Sequence, residues 1–410
     1  MRTNFRLLLC LSMLLSLSSN NANATPNGLP EGAGQSLVQS YCVACHQTNR
    51  ISFSSGYDRD DWQALIATMI EIEDEKQKNL LVDYLAQHFG PNDKRSPKLV
   101  AGNATISFKE WVTPTLGQRS RDPVEAPDGN IWWAGQWGNL IGNINPQTGE
   151  MREYPLPTGA MPHSVTPDKM GNIWYTGNKN GTVGMLDPKS EKMTTYDMPD
   201  LQARDPHTAV FDKQGVMWFT LQHSNKLGRL DPATGDIKLV SLPTPNSRPY
   251  GIKLDAHDRP WIACNGSNCL VEVDPKTMAL REYKLPNSQT KVRRLDFDEQ
   301  GMLWYVNSSL GRLGRFNPIT KEVKEWPSPS GARSHPYAIA AVGDAIWYNE
   351  SAMRPDALVK FDPKTETFQS WAIPSGSVYS GIVRHMRATS DGKLLIHQSA
   401  TNRIIQVTID

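Results

Sequence analysis

The sequence predicts a multidomain chain: a small all-α domain, then an all-β seven-bladed propeller closed by an N-terminal strand. Three observations predict it. A Trp-centred unit recurs about every 43 residues through the second part of the chain. The two ends of that part are complementary pieces of one such unit. Ahead of it lie two stretches whose apolar residues fall at helical spacing.

At 410 residues the chain is long for one domain and comfortable for two. Its 43 Lys plus Arg nearly cancel 42 Asp plus Glu, leaving a formal charge of +1. No basic stripe points to nucleic acid and no acidic tail to a solvating arm. The 30 Gly, 29 Pro and 12 Trp suit short strands, tight turns and flat aromatics between sheets. Arg2 and Arg6 precede an apolar run, Leu7–Leu17, that is too short to span a bilayer, and Ala22-Asn23-Ala24 gives a small-x-small cleavage pattern. We expect a signal peptide over residues 1–24, cleaved after Ala24 with Cys10 inside it, and a periplasmic mature chain. No later stretch approaches about 18 uninterrupted apolar residues, so no membrane span is expected in the mature chain.

Residues 25–95 form the expected helical domain. Cys42-Val43-Ala44-Cys45-His46 has the spacing for covalent haem c. Two thiols one helical turn apart can each add to a haem vinyl group, and the following His supplies an axial imidazole to the iron. A thioredoxin-like pair needs a βαβ context and a zinc site needs two further ligands nearby; neither is present. For the second axial ligand, Met69 and His88 compete. Trp62, Leu65, Ile66, Met69 and Ile70 make one apolar face of an expected helix Asp61–Ile70, headed by Asp58, Asp60 and Asp61. In so small a domain that face must meet the haem, which favours Met69; His88 ends a second helix closed by Gly90-Pro91. The string Cys-x-Ala-Cys-His, Arg59-x-x-Trp62, Met69-Ile70 and Asp83-Tyr84-Leu85-Ala86-x-x-Phe89-Gly90-Pro91 resembles short class I cytochrome c modules attached to periplasmic dehydrogenases. That resemblance also implies Met69 as distal ligand.

Residues 96–104 are polar and aperiodic and read as a linker. From 105 to 410 the repeat is Asp/Lys-x-Gly-x-hydrophobic-Trp-aromatic, then hydrophobic-Gly-Arg-hydrophobic-Asp-Pro, then Glu-Tyr/Trp-x-x-Pro. Its Trp recurs at 132, 174, 218, 261, 304 and 347, and Asp391-Gly392-Lys393-Leu394-Leu395 is a degenerate seventh copy. That copy stops at Val407-Thr408-Ile409-Asp410 without an outer strand, while Phe108-Lys109-Glu110-Trp111 matches Val323-Lys324-Glu325-Trp326. The first strand should complete the last blade and remove an exposed edge. Cys264 and Cys269 flank the turn Asn265-Gly266-Ser267-Asn268; an oxidising compartment favours a hairpin disulfide there, with two thiols as the alternative.

Innermost strands begin around the mouth of a propeller's channel. Those positions read Asp122-Pro123, Met161-Pro162-His163, Arg204-Asp205-Pro206-His207, Arg248-Pro249-Tyr250, Arg293-Arg294, His335-Pro336-Tyr337 and Arg384-His385. Arg204, Arg248, Tyr250, Arg293 and Arg384 would make a mouth for a small anionic ligand or an acidic partner surface; solvation of a wet channel is the bland alternative. The repeat Pro-His-x-hydrophobic…Gly-x-hydrophobic-Trp-Phe-Thr…Gly-Arg-hydrophobic-Asp-Pro resembles the streptogramin B lyase (virginiamycin B lyase) family across all seven blades. That family opens a cyclic depsipeptide at its ester by elimination, using Mg²⁺. The resemblance implies a site of Pro-His in one blade, Glu-Pro-His in the next, and a Glu after the second blade's Trp-Phe. His163 with Asp205 and His207 is the matching catalytic set, Asp205 replacing a Glu and Gln222 replacing the second carboxylate. A second register, in blades four and five, puts Tyr250, Lys291 and Arg293 at those places and destroys the site.

The leading functional expectation is a periplasmic electron carrier with one covalent haem c. It would exchange electrons with a partner such as a periplasmic dehydrogenase, while the propeller holds a ligand or partner. The alternatives are a Mg²⁺-dependent carbon–oxygen lyase with an attached cytochrome, and a propeller oxidoreductase using the haem as electron outlet.

Overall fold

The structure, a computed structural model, describes residues 29–43, 48, 51, 57–90, 96–375 and 383–410. The expected signal peptide lies outside them, as do Cys45 and His46. No described helix is long and apolar enough to cross a membrane.

Each repeat forms a four-stranded antiparallel sheet whose three inner strands are buried on both faces and whose outer strand alternates, and seven such sheets form. Blade one runs Ser120–Glu125, Ile131–Gly135, Leu140–Ile144 and Met151–Pro155 from the channel outward. Each part of the repeat has a physical cause. The Trp of the second strand stacks on the aromatic of the outer strand, as in Trp132–Tyr154 and Trp304–Trp326, with ring centroids 5.4 and 5.5 Å apart. Its indole N–H donates to the Asp of the preceding turn: Trp174 to Asp168, Trp218 to Asp212 and Trp304 to Asp298, at 2.9, 2.9 and 2.7 Å. The Gly of Gly-Arg-hydrophobic-Asp-Pro lies under the aromatic after that Trp. A Cβ on Gly184 or Gly228 would stand 2.1 or 2.2 Å from the ring of Tyr175 or Phe219.

The ring closes as expected. Ile106–Val112 pairs antiparallel with Arg403–Ile409, from Ile106↔Ile409 to Val112↔Arg403, and supplies the outer strand of blade seven. The expected linker is not a loose tether. Val100 N–H donates to Ser370 Oγ and Ser370 N–H to Val100 O, both at 2.9 Å, so residues 98–104 lie strapped along the outer strand Thr367–Ala372 of blade six.

The N-terminal segment is helical over Gln35–Leu37, a wider turn Val38–Cys42, Arg59–Ala67 and Glu75–His88. Asp58 and Asp61 form a capping box at the start of Arg59–Ala67. This helix stops earlier than the expected Ile70. Thr68 donates its hydroxyl back to Leu65 O at 2.7 Å, and Met69 and Ile70 follow in a tight turn onto Ile66 O. Trp62, Leu65, Ile66, Leu81, Tyr84 and Leu85 are its buried core.

This segment rests on the propeller face where the inner strands begin. Thr68 O accepts from Gly117 N, just before the inner strand of blade one, at 3.3 Å. It also accepts from Asn402 Nδ2, in the hairpin between the middle strands of blade seven, at 2.9 Å. Ala400 of that hairpin packs into the helical core. A cavity of about 170 Å³ remains between the two parts, bordered by Tyr57, Asp61, Leu65, Thr401 and Arg403.

Candidate functional site

Every inner strand from blade one to blade six carries an irregularity in its pairing with the second strand. It falls between Arg121 and Val124, Pro162 and Val165, Pro206 and Ala209, Pro249 and Ile252, Val292 and Leu295, and Pro336 and Ile339. A bulge re-aims the side chains it contains. In blades two to six it holds His163, His207, Tyr250, Arg293 and Tyr337, which therefore share one ladder position. The Thr of Trp-Phe-Thr secures the kink: Thr220 Oγ1 takes Thr208 N–H at 3.3 Å and donates to Tyr250 O in the next blade at 2.8 Å.

Counting from the strand pairing places Arg121, opposite Ala134, at this position in blade one. Counting from Arg387↔Leu395 places Arg384 there in blade seven. The channel ring is thus Arg121, His163, His207, Tyr250, Arg293, Tyr337 and Arg384, one residue per blade. The expected entry for blade one, Asp122, is off by one, because Ser120 fills the ladder place that Pro162 and Pro206 fill in the next two blades.

The ring's aromatic side is continuous. His163 and His207 lie with centroids 3.4 Å apart, His207 and Tyr250 4.2 Å apart, and the Tyr250 hydroxyl meets that of Tyr337. The Arg293 guanidinium lies 4.8 Å from the Tyr337 ring centre and that of Arg384 5.7 Å from it, while Arg294 approaches Tyr250 at 5.1 Å. One step deeper come Asp122, Arg294 and His385. Asp122 is fully buried, receives His385 Nδ1 at 3.1 Å and faces Arg121 Nε at 3.7 Å and Arg294 Nη2 at 3.9 Å. Arg387 donates to Val165 O at 2.9 Å.

Charge follows from this packing. Burial works against the Asp122 carboxylate, yet His385, Arg294 and Arg121 hold it well below the ordinary range. Burial and the same guanidiniums keep His163, His207 and His385 neutral. His335 falls to about 4 through burial and then Arg293 and Arg384. His397 Nε2 accepts Arg384 N–H and His385 N–H, which puts its proton on Nδ1, beside Ser399 Oγ. The channel therefore holds five guanidiniums, from Arg121, Arg293, Arg294, Arg384 and Arg387, around the carboxylate of Asp122. Arg121 Nε and Nη2, Arg293 Nε, Arg294 Nη2 and Arg384 Nε are buried without a hydrogen-bond acceptor.

Of the sequence-derived site residues, His163, His207, Tyr250, Arg293 and Arg384 meet in this ring. Arg204 and Arg248 are exposed outside it, and Arg204 reaches back to Asn180 O at 3.1 Å. Asp205 does not join the two histidines. Its carboxylate accepts from the His223 and Ser224 amides and the Ser224 hydroxyl, closing the turn after Met217–Leu221. Among the described residues no three His, Cys, Asp or Glu side chains group to hold a metal ion. Guanidiniums crowding the ring also make it a poor seat for a dication, so the Mg²⁺ of the lyase reading does not fit. Cys264 and Cys269 end and begin adjacent strands as buried, unbridged thiols where a disulfide was expected, with Ser267 Oγ 3.1 Å from Cys269 Sγ. Cys42 and Met69 pack against the apolar cluster of the helical segment. His88 Nε2 is buried there without a hydrogen-bond partner. Sequence reading missed Arg121, Arg387 and His397; the ladder count from each repeat Trp carries the signal for Arg121.

Residues 103–273, blades one to four, match the virginiamycin B lyase family. The propeller is virginiamycin B lyase-like. A streptogramin B lyase structure is 22% identical, covering 74% of this chain and 98% of that one at a TM-score of 0.67. The virginiamycin B lyase of Staphylococcus aureus is 21% identical, with 74% and 99% covered and a TM-score of 0.67. A chain of Kuenenia stuttgartiensis hydrazine synthase is 10% identical, with 72% and 95% covered at 0.58. At these identities the likeness is one of fold. No curated protein matches the sequence.

Proposed function

We propose that the lyase-like propeller is the working part of this chain and that its channel ring binds the carboxylate or other oxyanion group of a small ligand. The observation that carries this is the set of buried guanidinium nitrogens without acceptors at Arg121, Arg293, Arg294 and Arg384. Buried donors left unmade cost about 1–3 kcal/mol each, and an oxyanion would satisfy several at once. Calorimetric titration of the purified chain with acetate and with succinate tests it. Salt-sensitive binding that Arg293→Gln weakens about tenfold or more supports the reading; equal binding by the variant contradicts it.

A second reading, ester opening by elimination, is favoured by the family match and by the adjacent His163 and His207. One of the similar structures is a catalytically inactive His-to-Ala virginiamycin B lyase with quinupristin. Incubation with a streptogramin B tests this reading: turnover that disappears in both His163→Ala and His207→Ala would establish it. The helical segment remains a proposed c-type haem carrier in an exported chain. It would attach haem through Cys42 and Cys45 and ligate iron by His46 and Met69, exchanging electrons with a dehydrogenase-like partner. A bound haem would supply one-electron chemistry, and Cys42 and Met69 would hold it against the apolar cluster. Mass spectrometry of the mature chain tests attachment directly.

A further inference from the structure

The ring contains one residue placed to handle a proton as well as charge. Tyr337 is 2% exposed and sits between two guanidiniums from different blades, Arg293 at 4.8 Å and Arg384 at 5.7 Å. Among the described residues its hydroxyl meets one other hydroxyl, that of Tyr250, whose ring lies tilted against His207. We propose that Tyr337 is the proton acceptor of the channel: its phenolate oxygen takes a proton from the anionic ligand that Arg293 and Arg384 hold. This rests on the anion-binding reading and deepens it, naming the ligand class as an organic acid or ester with an acidic C–H or O–H beside its charged group. In the step, the phenolate O–H bond forms as the ligand's C–H or O–H bond breaks. The electron pair stays on the ligand, where the guanidiniums stabilise it.

The surroundings support a phenolate from every side. Burial opposes it, but Arg293, Arg384, the Tyr250 hydroxyl and Arg121 together pull Tyr337 down to about 7. Tyr250 faces it from blade four, with Arg294 over the Tyr250 ring, and His385 follows Arg384 in blade seven. His335, just ahead of its own strand, is held neutral. Glu350, opposite Pro336, has its carboxylate turned to the Ser330 amide and hydroxyl, and burial raises it. Tyr250 is raised by burial and by Tyr337, so the pair gives up one proton and shares the other. An anion arriving at Arg293 and Arg384 competes with the phenolate for the same charge. Ligand capture and proton uptake are therefore linked.

The test follows tyrosinate in the purified full chain by ultraviolet difference absorbance during a pH titration, with and without succinate. One tyrosinate should form with a midpoint about 7, vanish in Tyr337→Phe and move upward in Arg384→Gln. Succinate should raise that midpoint in the wild-type chain. Ionisation of every tyrosine only near the ordinary value of about 10 overturns the inference, whether or not the variants fold. Succinate binding without any change in the midpoint overturns the linkage while leaving the anion site standing. A low midpoint without succinate binding leaves Tyr337 ionised but removes the ligand reading beneath it.

Discussion

His163, His207, His335, His385 and His397 are all held neutral by burial close to guanidiniums, and this sets how the molecule responds to acid. An unfolded chain protonates its histidines near about 6.5, whereas the folded chain waits until about 4 at His335 and lower than ordinary at the others. Between those values the unfolded state binds more protons, so stability is lost as pH falls through that window. Asp356, raised to about 8, and Glu350, also raised, both by burial, oppose this as two groups against five. Thermal unfolding should therefore show a lower midpoint at about pH 5 than at about pH 7; an equal or higher midpoint at the acid end contradicts the assigned charges. The same residues show what a sequence can disclose about a site. His163, His207, Tyr250, Arg293 and Arg384 were legible because a proline or a charged pair marks the start of each inner strand. Arg121 was not, because blade one breaks that pattern. Asp205 misled because its spacing to His207 mimics a metal carboxylate while its oxygens close a turn.

At the scale of elements, the blade repeat is a set of close approaches, and each can be broken separately. Gly228 lies under Phe219, and a methyl group there must displace the ring. Gly228→Ala should destabilise the chain by about 1–3 kcal/mol, read as a lower midpoint in chemical denaturation with the propeller's circular dichroism retained at low denaturant. Asp212→Ala removes the acceptor of the Trp218 indole and should cost about 1–3 kcal/mol by leaving a buried donor unpaired. Strand number, order and closure were legible from the repeat because every conspicuous residue in it answers to a contact of this kind. Helix length and linker behaviour were less so. The apolar stripe ran on through Met69, but Thr68 turned its hydroxyl inward and its carbonyl toward the propeller, which ended the helix. The linker's polarity suggested solvent, yet its backbone found partners along blade six. Both outcomes depend on residues hundreds of positions away, which local periodicity cannot register.

At the scale of the whole molecule, the helical segment and the propeller meet through a few specific bonds. Asn402 is fixed in a left-handed conformation and gives its side-chain N–H to Thr68 O and Thr115 O, while Thr113 N–H donates to its carbonyl. Asn402→Ala should take one of two hydrogen bonds from each of the Thr68 and Thr115 carbonyls and loosen the helices, seen as faster hydrogen exchange across Arg59–His88 with blades two to five unchanged. The segment that carries Met69 therefore depends on the propeller for its position, on the same face as the ring. Locating an anion in that ring tests the proposed binding most directly. Crystals soaked in selenate and measured for anomalous scattering should show a peak within hydrogen-bond distance of the Arg121, Arg293 or Arg384 guanidinium. A map whose peaks lie only at exposed cations such as Arg204 and Arg248, with the channel clear, would contradict the account.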